Sequence, residues 1–336
     1  MIAEQIRSSR IQRIVEILGQ PHVMGWLIMP TGIWFLAGLY LDGWAHNHGK
    51  VDNTFFTPWH AVFYSGFLAV ATVLALLALA THLRGQLWQR NLPVAYRSAI
   101  VAAPLFAMGG LADLWWHETF GFEAGIEILI SPPHLLLASS MFVICAAPAR
   151  TWIAYRNRNP IPVILSVLAA WSVVVFMLQY NHPYGIIWPE RSVIGQTGVL
   201  VGLVSLCLHA LLTTGVVLWM HDRHLPRGSI TVVLVINALM IALMGDEYRF
   251  GWAALIAGIG IEVVQHVMRT QSHTNQIKAL TITTPVLLCI AYFGVIAATT
   301  TLVWPISLCI STIITSVFCA YSLTFIWPKA TTARNI

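Results

Sequence analysis

Charge is what this chain has least of. Lys and Arg number 18 and Asp and Glu 13, together 9% of 336 residues, against roughly 25% in a soluble globular domain. A water-soluble fold with a charged shell is therefore excluded. Cysteine is also sparse. The five (Cys145, Cys207, Cys289, Cys309 and Cys319) each lie in an apolar run and form no Cys-x-x-Cys pair. They read as small buried apolar side chains rather than a disulfide framework. The absence of Cys-x-x-Cys-His removes covalent c-type haem. No Walker loop, Gly-x-Ser-x-Gly or His-Glu-x-x-His is present, and Gly125, Gly258 and Gly260 build no dinucleotide fingerprint.

What is abundant is apolar: 57% of the residues are hydrophobic and the mean hydropathy is +0.74. The apolar residues come in runs of about 18–25, the length that crosses a bilayer. The pattern predicts an all-α, polytopic transmembrane bundle of about ten helices with repeated helical hairpins. The expected spans are 24–45, 59–82, 98–117, 132–148, 161–180, 195–220, 229–245, 251–268, 280–299 and 302–327. Residues 1–23 read as a cytoplasmic interfacial helix, with Ile6, Ile11, Ile14, Val15 and Leu18 at helical spacing and Arg7, Arg10 and Arg13 among them. Residues 24–148 form a membrane domain with two motif-bearing hairpins, and 149–336 hold the remaining helices and a short tail.

This arrangement puts fifteen basic residues on one side of the membrane and only Lys50, Arg191 and Arg249 on the other. By the positive-inside rule both termini are cytoplasmic in a multi-pass protein of the cell membrane. The same loops account for a pI near 9.1 through anionic lipid headgroups, so no nucleic-acid partner is called for.

The opposite side collects most of the carboxylates and a repeated motif. Its first copy is Asp42-Gly-Trp-Ala-His46 followed by Phe55-Phe-Thr-Pro-Trp-His60. The second is Asp113-Leu-Trp-Trp-His117 followed by Ile130-Ser-Pro-Pro-His134. Asp and His four apart share one helix face. A second His then follows a proline in the first turn of the next helix, where proline is favoured and fixes the entry angle. An aspartate near a helix C-terminus opposes the macrodipole, and a bound cation relieves that conflict. Asp42, His46, His60, Asp113, His117 and His134 are therefore expected metal ligands, in a mononuclear or dinuclear site with open positions for dioxygen or substrate. A transition metal fits this donor set, copper before iron or zinc. The competing account is that these groups bond loop backbone while Trp44, Trp59, Trp115 and Trp116 form an ordinary aromatic belt.

Several further residues invite a role. His48 competes with His46 but falls off the Asp42 face, which suits a loop residue. Glu123 and Glu127 line a solvated face or orient a histidine from behind. His209 lies mid-helix, where ionisable residues are costly; a hydrogen bond to a neighbouring helix is one account of it. Glu262 faces a choice between Arg269 and His266, or a proton path. His182, Asp246 and Glu247 are candidates to complete or cover the site. Polar helix ends at 179–185 and 245–251 suit two further hairpins.

The segments Trp44–Gly66 and Asp113–Leu137, with Phe-Phe-Thr-Pro-Trp-His in the first and Trp-His then Ser-Pro-Pro-His-Leu-Leu in the second, resemble a family of multi-pass membrane proteins of bacteria and archaea that carries no assigned activity. The resemblance implies membrane location and a shared metal site. The order Asp-x3-His followed by a later His is also similar to that in the C subunit of the copper membrane monooxygenases, with a longer final spacing in the second copy. The resulting expectation is a metal-dependent membrane oxidoreductase or oxygenase acting on a small or lipid-soluble substrate, open to complex partners in the bilayer. A metal transporter or delivery protein, and a structural or sensory subunit without metal, are the rivals.

Overall fold

The computed structural model describes residues 13, 16–50, 57–83, 85–121, 126–152, 158–191 and 195–327. Most of the segment expected as an interfacial helix, together with Asp52 and Glu123, lies outside the described residues. No strand occurs among those described. Ten apolar helices carry the fold: α1 (Pro21–Asn47), α2 (Pro58–Leu83), α3 (Val94–Phe120), α4 (Pro132–Cys145), α5 (Ile161–Met177), α6 (Gly195–Asp222), α7 (Ser229–Ala242), α8 (Phe250–Met268), α9 (His273–Thr299) and α10 (Ile306–Tyr321). Among the described residues seven are long and apolar enough to cross a membrane, α10 being counted with its extension to Ile326; α4, α5 and α7 are shorter. The fold is thus all-α and fits a multi-pass membrane protein.

Helix ends follow local chemistry. α1 and α3 both run out at a glycine of positive φ, Gly49 (61°) and Gly121 (79°), where a residue without Cβ costs least. The run expected to continue to 148 stops at Cys145 because Pro148 has no N–H to give the carbonyl of Ile144 and its ring crowds that oxygen. Ser166 takes up the slack, donating to the Cys145 carbonyl at 2.5 Å and accepting from the Ala149 N–H at 3.0 Å.

The chain divides into two compact units after Met177. In the first, α1 pairs with α2 and α3 with α4, while α5 packs against α1 and α4. α5 is buried along most of its length, as expected of a helix apolar on every side. The Tyr40 hydroxyl donates to the Ser172 carbonyl at 2.9 Å and ties α1 to it. Four phenylalanines knit α1, α2 and α3 together. Phe106 meets Phe35 edge-on at 4.8 Å and Phe67 at 4.4 Å, and Phe35 stacks on Phe63 at 5.2 Å. In the second unit, α8 lies between α7 and α9, and α6 packs on α9 and α10. Gly258 and Gly260 of α8 face Thr231 and Leu287 so closely that a Cβ would fall 2.8 and 3.0 Å from them. The small-residue face is a packing surface.

Candidate metal centre

In the first hairpin, Thr57 precedes α2 and its hydroxyl accepts the His60 backbone N–H at 3.1 Å. In the second, Ser131 caps α4 in the same way for His134, at 3.4 Å. Both sequences read Ser/Thr-Pro-x-His, a helix start with a side-chain acceptor and a proline in the first turn. The cap fixes where the first turn begins and therefore where each histidine points. Ser131 Oγ also lies 2.7 Å from His134 Nδ1 and restrains the ring.

Hairpin closure does the rest. Gly38, one turn before Asp42, sits against the backbone of Phe63, and an added Cβ would lie 2.5 Å from Phe63 Cα. Gly66 of α2 meets Phe35 of α1 reciprocally at 2.6 Å. In the other hairpin Gly109, one turn before Asp113, faces Leu137, with 3.1 Å to its side chain. Phe63 and Leu137 each stand three residues after the histidine of their helix. The glycine therefore lets the two backbones close just below the point where carboxylate and imidazoles meet.

There the geometry is alike in both copies. His46 Nε2 and His60 Nε2 lie 3.9 and 3.4 Å from the single oxygen Asp42 Oδ2. His117 Nε2 and His134 Nδ1 each lie 3.5 Å from Asp113 Oδ1. Within each group the ligand atoms fall within 4.8 Å of one another. These separations exceed the 2.7–3.2 Å of an N–H···O bond. Three of the four match the roughly 3.3–3.6 Å that separates neighbouring ligands when each stands about 2.0–2.2 Å from a tetrahedral ion; the fourth, His46 to Asp42 at 3.9 Å, is longer. Asp113 is 2% exposed, and Asp42 Oδ1 and Asp113 Oδ1 are buried with no hydrogen-bond partner. A buried carboxylate oxygen facing two imidazole nitrogens is a donor set that can hold a metal ion.

The two groups are neighbours. The charges of Asp113 and His117 act on His46, and those of Asp42 and His60 act on His134. Tyr64, four residues after His60, feels both carboxylates, and its hydroxyl rests 3.0 Å from where a Cβ on Gly110 would stand. A groove of about 830 Å³ runs past His60 and Tyr64, walled by apolar residues such as Phe67, Leu68, Leu111 and Leu114.

The remaining sequence candidates take other roles. His48 turns away: its Nδ1 lies 2.8 Å from the Trp44 carbonyl and its ring stacks on Trp44. Glu127 is exposed. His182 and His209 meet inside the second unit with ring centroids 4.6 Å apart, next to Tyr184. The His182 Nδ1 accepts the Tyr184 N–H, which leaves its proton on Nε2. That nitrogen and both nitrogens of His209 are buried without a hydrogen-bond partner. Glu247 pairs with Arg249 at 2.8 Å, and Arg249 also holds Glu190 at 2.8 Å. Asp246 takes a positive φ of 58° just after α7. Glu262 pairs with neither Arg269 nor His266. Its carboxylate accepts the N–H groups of Gly228, Ile230 and Thr231 at 2.7–3.2 Å and caps α7.

The residues that the motif reading passed over are Gly38, Gly109, Thr57 and Ser131. Their signal was available: a Ser or Thr before Pro-x-His, and a Gly four residues before each Asp. No protein-family model, curated protein or solved structure matches this chain.

Proposed function

We propose that this chain is a metal-dependent oxidoreductase or oxygenase of the cell membrane. Asp42, His46 and His60 form one ligand group, and Asp113, His117 and His134 the other. The observation that carries the reading is the single carboxylate oxygen facing two imidazole nitrogens at ligand spacing, twice in adjacent hairpins. Copper is the first choice for imidazole-rich ligation on an oxidising face, before iron or zinc. When bound, it would supply one-electron chemistry and an open coordination position.

The protein's own residues do the remaining work. Thr57 and Ser131 aim His60 and His134. Gly38 and Gly109 set the approach of the helices that carry the ligands. The apolar walls of the groove beside His60 keep water away and suit a small or lipid-soluble substrate. α4, α5 and α7 cross the bilayer with the seven longer helices, so ten crossings return both termini to the cytoplasmic side, where the basic loops lie. The ligands then stand near the extracytoplasmic surface. The two hairpins are copies of one unit. The likeness of Thr57–His60 and Ser131–Leu136 to a bacterial and archaeal membrane-protein family supports a shared metal site, and the order Asp-x3-His…His in the copper monooxygenase subunit supports copper.

Two rivals are weaker. A transporter needs ligands leading onward, and Glu262, one of two residues that suggested a path, is taken up by the α7 cap. A purely structural staple would join Asp to His by ion pairs without metal; the 3.4–3.9 Å separations are longer than hydrogen bonds, and with such a staple both His→Ala changes lower stability with no metal present in wild type. Elemental analysis of purified protein decides: wild type carries metal, and His46→Ala with His117→Ala loses most of it. Equal metal in both proteins overturns the proposal.

A further inference from the structure

A second polar site lies in the other unit, where the ends of α6 and α8 meet the start of α7. A cavity of about 360 Å³ there is bordered by Arg227, Arg269, His221, His224 and His266. The one carboxylate among its described lining residues is Glu262, whose two oxygens accept three backbone N–H groups. Among the described residues Arg227 bonds to no carboxylate: its Nη2 reaches His266 Nδ1 at 3.1 Å. Arg269 likewise has no ion-pair partner among them. Asp222, the other nearby acid, is taken by His273 and by the Trp327 indole, at 2.9 and 2.8 Å. Both arginines are exposed and neither forms an ion pair among the described residues, so the cavity carries a net positive charge from two guanidiniums against the one carboxylate of Glu262.

The rest of its wall is mixed: Met220, Leu225, Pro226 and Ile230 make an apolar part, beside the polar Ser229, Gln265 and Gln276. A free inorganic anion has no use for the apolar part. An amphipathic anion uses both, with its phosphate on the guanidiniums and its glycerol and first methylenes against the apolar side. We infer that this cavity binds the phosphate headgroup of an anionic membrane lipid through Arg227 and Arg269. The site is independent of the metal-binding hairpins.

The test uses the full chain purified in a neutral detergent and offered phosphatidylglycerol and phosphatidylcholine of identical chains, with bound lipid read by native mass spectrometry. Wild type should retain phosphatidylglycerol roughly tenfold to thirtyfold over phosphatidylcholine, the preference that two membrane-proximal cations supply. Arg227→Gln with Arg269→Gln should bring the two lipids to parity. Arg227→Lys with Arg269→Lys should keep most of the preference, which separates loss of charge from loss of fold. Arg150→Gln, a basic residue of the other unit, should change nothing. Equal retention of both lipids by wild type, an undiminished preference in the double Gln protein, or the same loss in Arg150→Gln would each refute the site. Displacement of the bound lipid by millimolar inorganic phosphate would show that free phosphate is the ligand, and would refute the lipid assignment.

Discussion

Replacing Gly38 by alanine tests whether backbone closure builds the proposed metal centre. The added methyl would stand 2.5 Å from Phe63 Cα and 2.9 Å from Phe63 N, and ordinary contact begins at 3.4 Å. Neither neighbour is a flexible side-chain tip, so α1 and α2 must part by about 1 Å at that level. Asp42 lies one turn above Gly38, and His60 lies one turn from Phe63 on the facing helix. The separation therefore passes directly into the 3.4 Å gap between Asp42 Oδ2 and His60 Nε2. A site of this kind tolerates roughly 0.5 Å of misplacement. Metal affinity at the first group should fall by about 10–100-fold, the effect of losing support behind a ligand. Overpacking should cost about 1–3 kcal/mol in stability. Gly215→Ala is the matched control, because nothing lies within 4 Å of its added methyl; a helical Gly-to-Ala change there should be neutral or stabilising by about 0.5–1 kcal/mol. Thermal unfolding in detergent and metal titration on the three proteins read both effects. A Gly38→Ala protein that melts and binds metal like wild type would refute the claim that helix approach sets the ligand geometry.

Three further outcomes follow from the same structure. Gly109→Ala should be milder than Gly38→Ala in both assays, because its nearest neighbour is the movable tip of Leu137 at 3.1 Å rather than backbone; equal damage would contradict that ranking. Glu262→Ala should leave three N–H groups of α7 unpaired, costing about 1–3 kcal/mol, while metal content stays at the wild-type level; a loss of metal would revive a transport path through Glu262. Burial, helped by neighbouring His209, holds the His182 imidazole well below its ordinary pKa of 6.5. The unfolded chain then binds the proton first, so the contribution of this residue is complete above pH 6.5 and is lost as the pH falls below that value. The melting temperature should drop between neutral pH and about 5.5, and His182→Gln should flatten that slope; an unchanged slope in the variant would assign it to other groups.

The membrane class and the two Asp/His/His groups were legible because each rests on a local signal. Long apolar runs force helices in a medium without water, and Asp and His four apart must share a face. The i, i+4 rule favoured His46 over His48, and His46 does lie in the group with Asp42 and His60 while His48 caps the end of α1. Less legible was what depends on contact across the chain. Glu262 reads in sequence as an intramembrane charge in search of a cation, yet three N–H groups some thirty residues earlier claim it. His209 reads as a histidine bonded to a neighbouring helix, yet its ring nitrogens are without hydrogen-bond partners and meet His182, which the sequence placed with the metal site. The close seats of Gly38 and Gly66 look like any helical glycines until the facing backbone is known.

The phenylalanine cluster beneath the two centres has a consequence of its own. Phe106 rides on the helix that carries Asp113, yet it leans on Phe35 and Phe67 from the hairpin that carries Asp42 and His60. Rings in such contact cannot yield on one side alone. A shift in one hairpin is therefore felt in the other, and a metal titration should show two coupled steps rather than two independent ones.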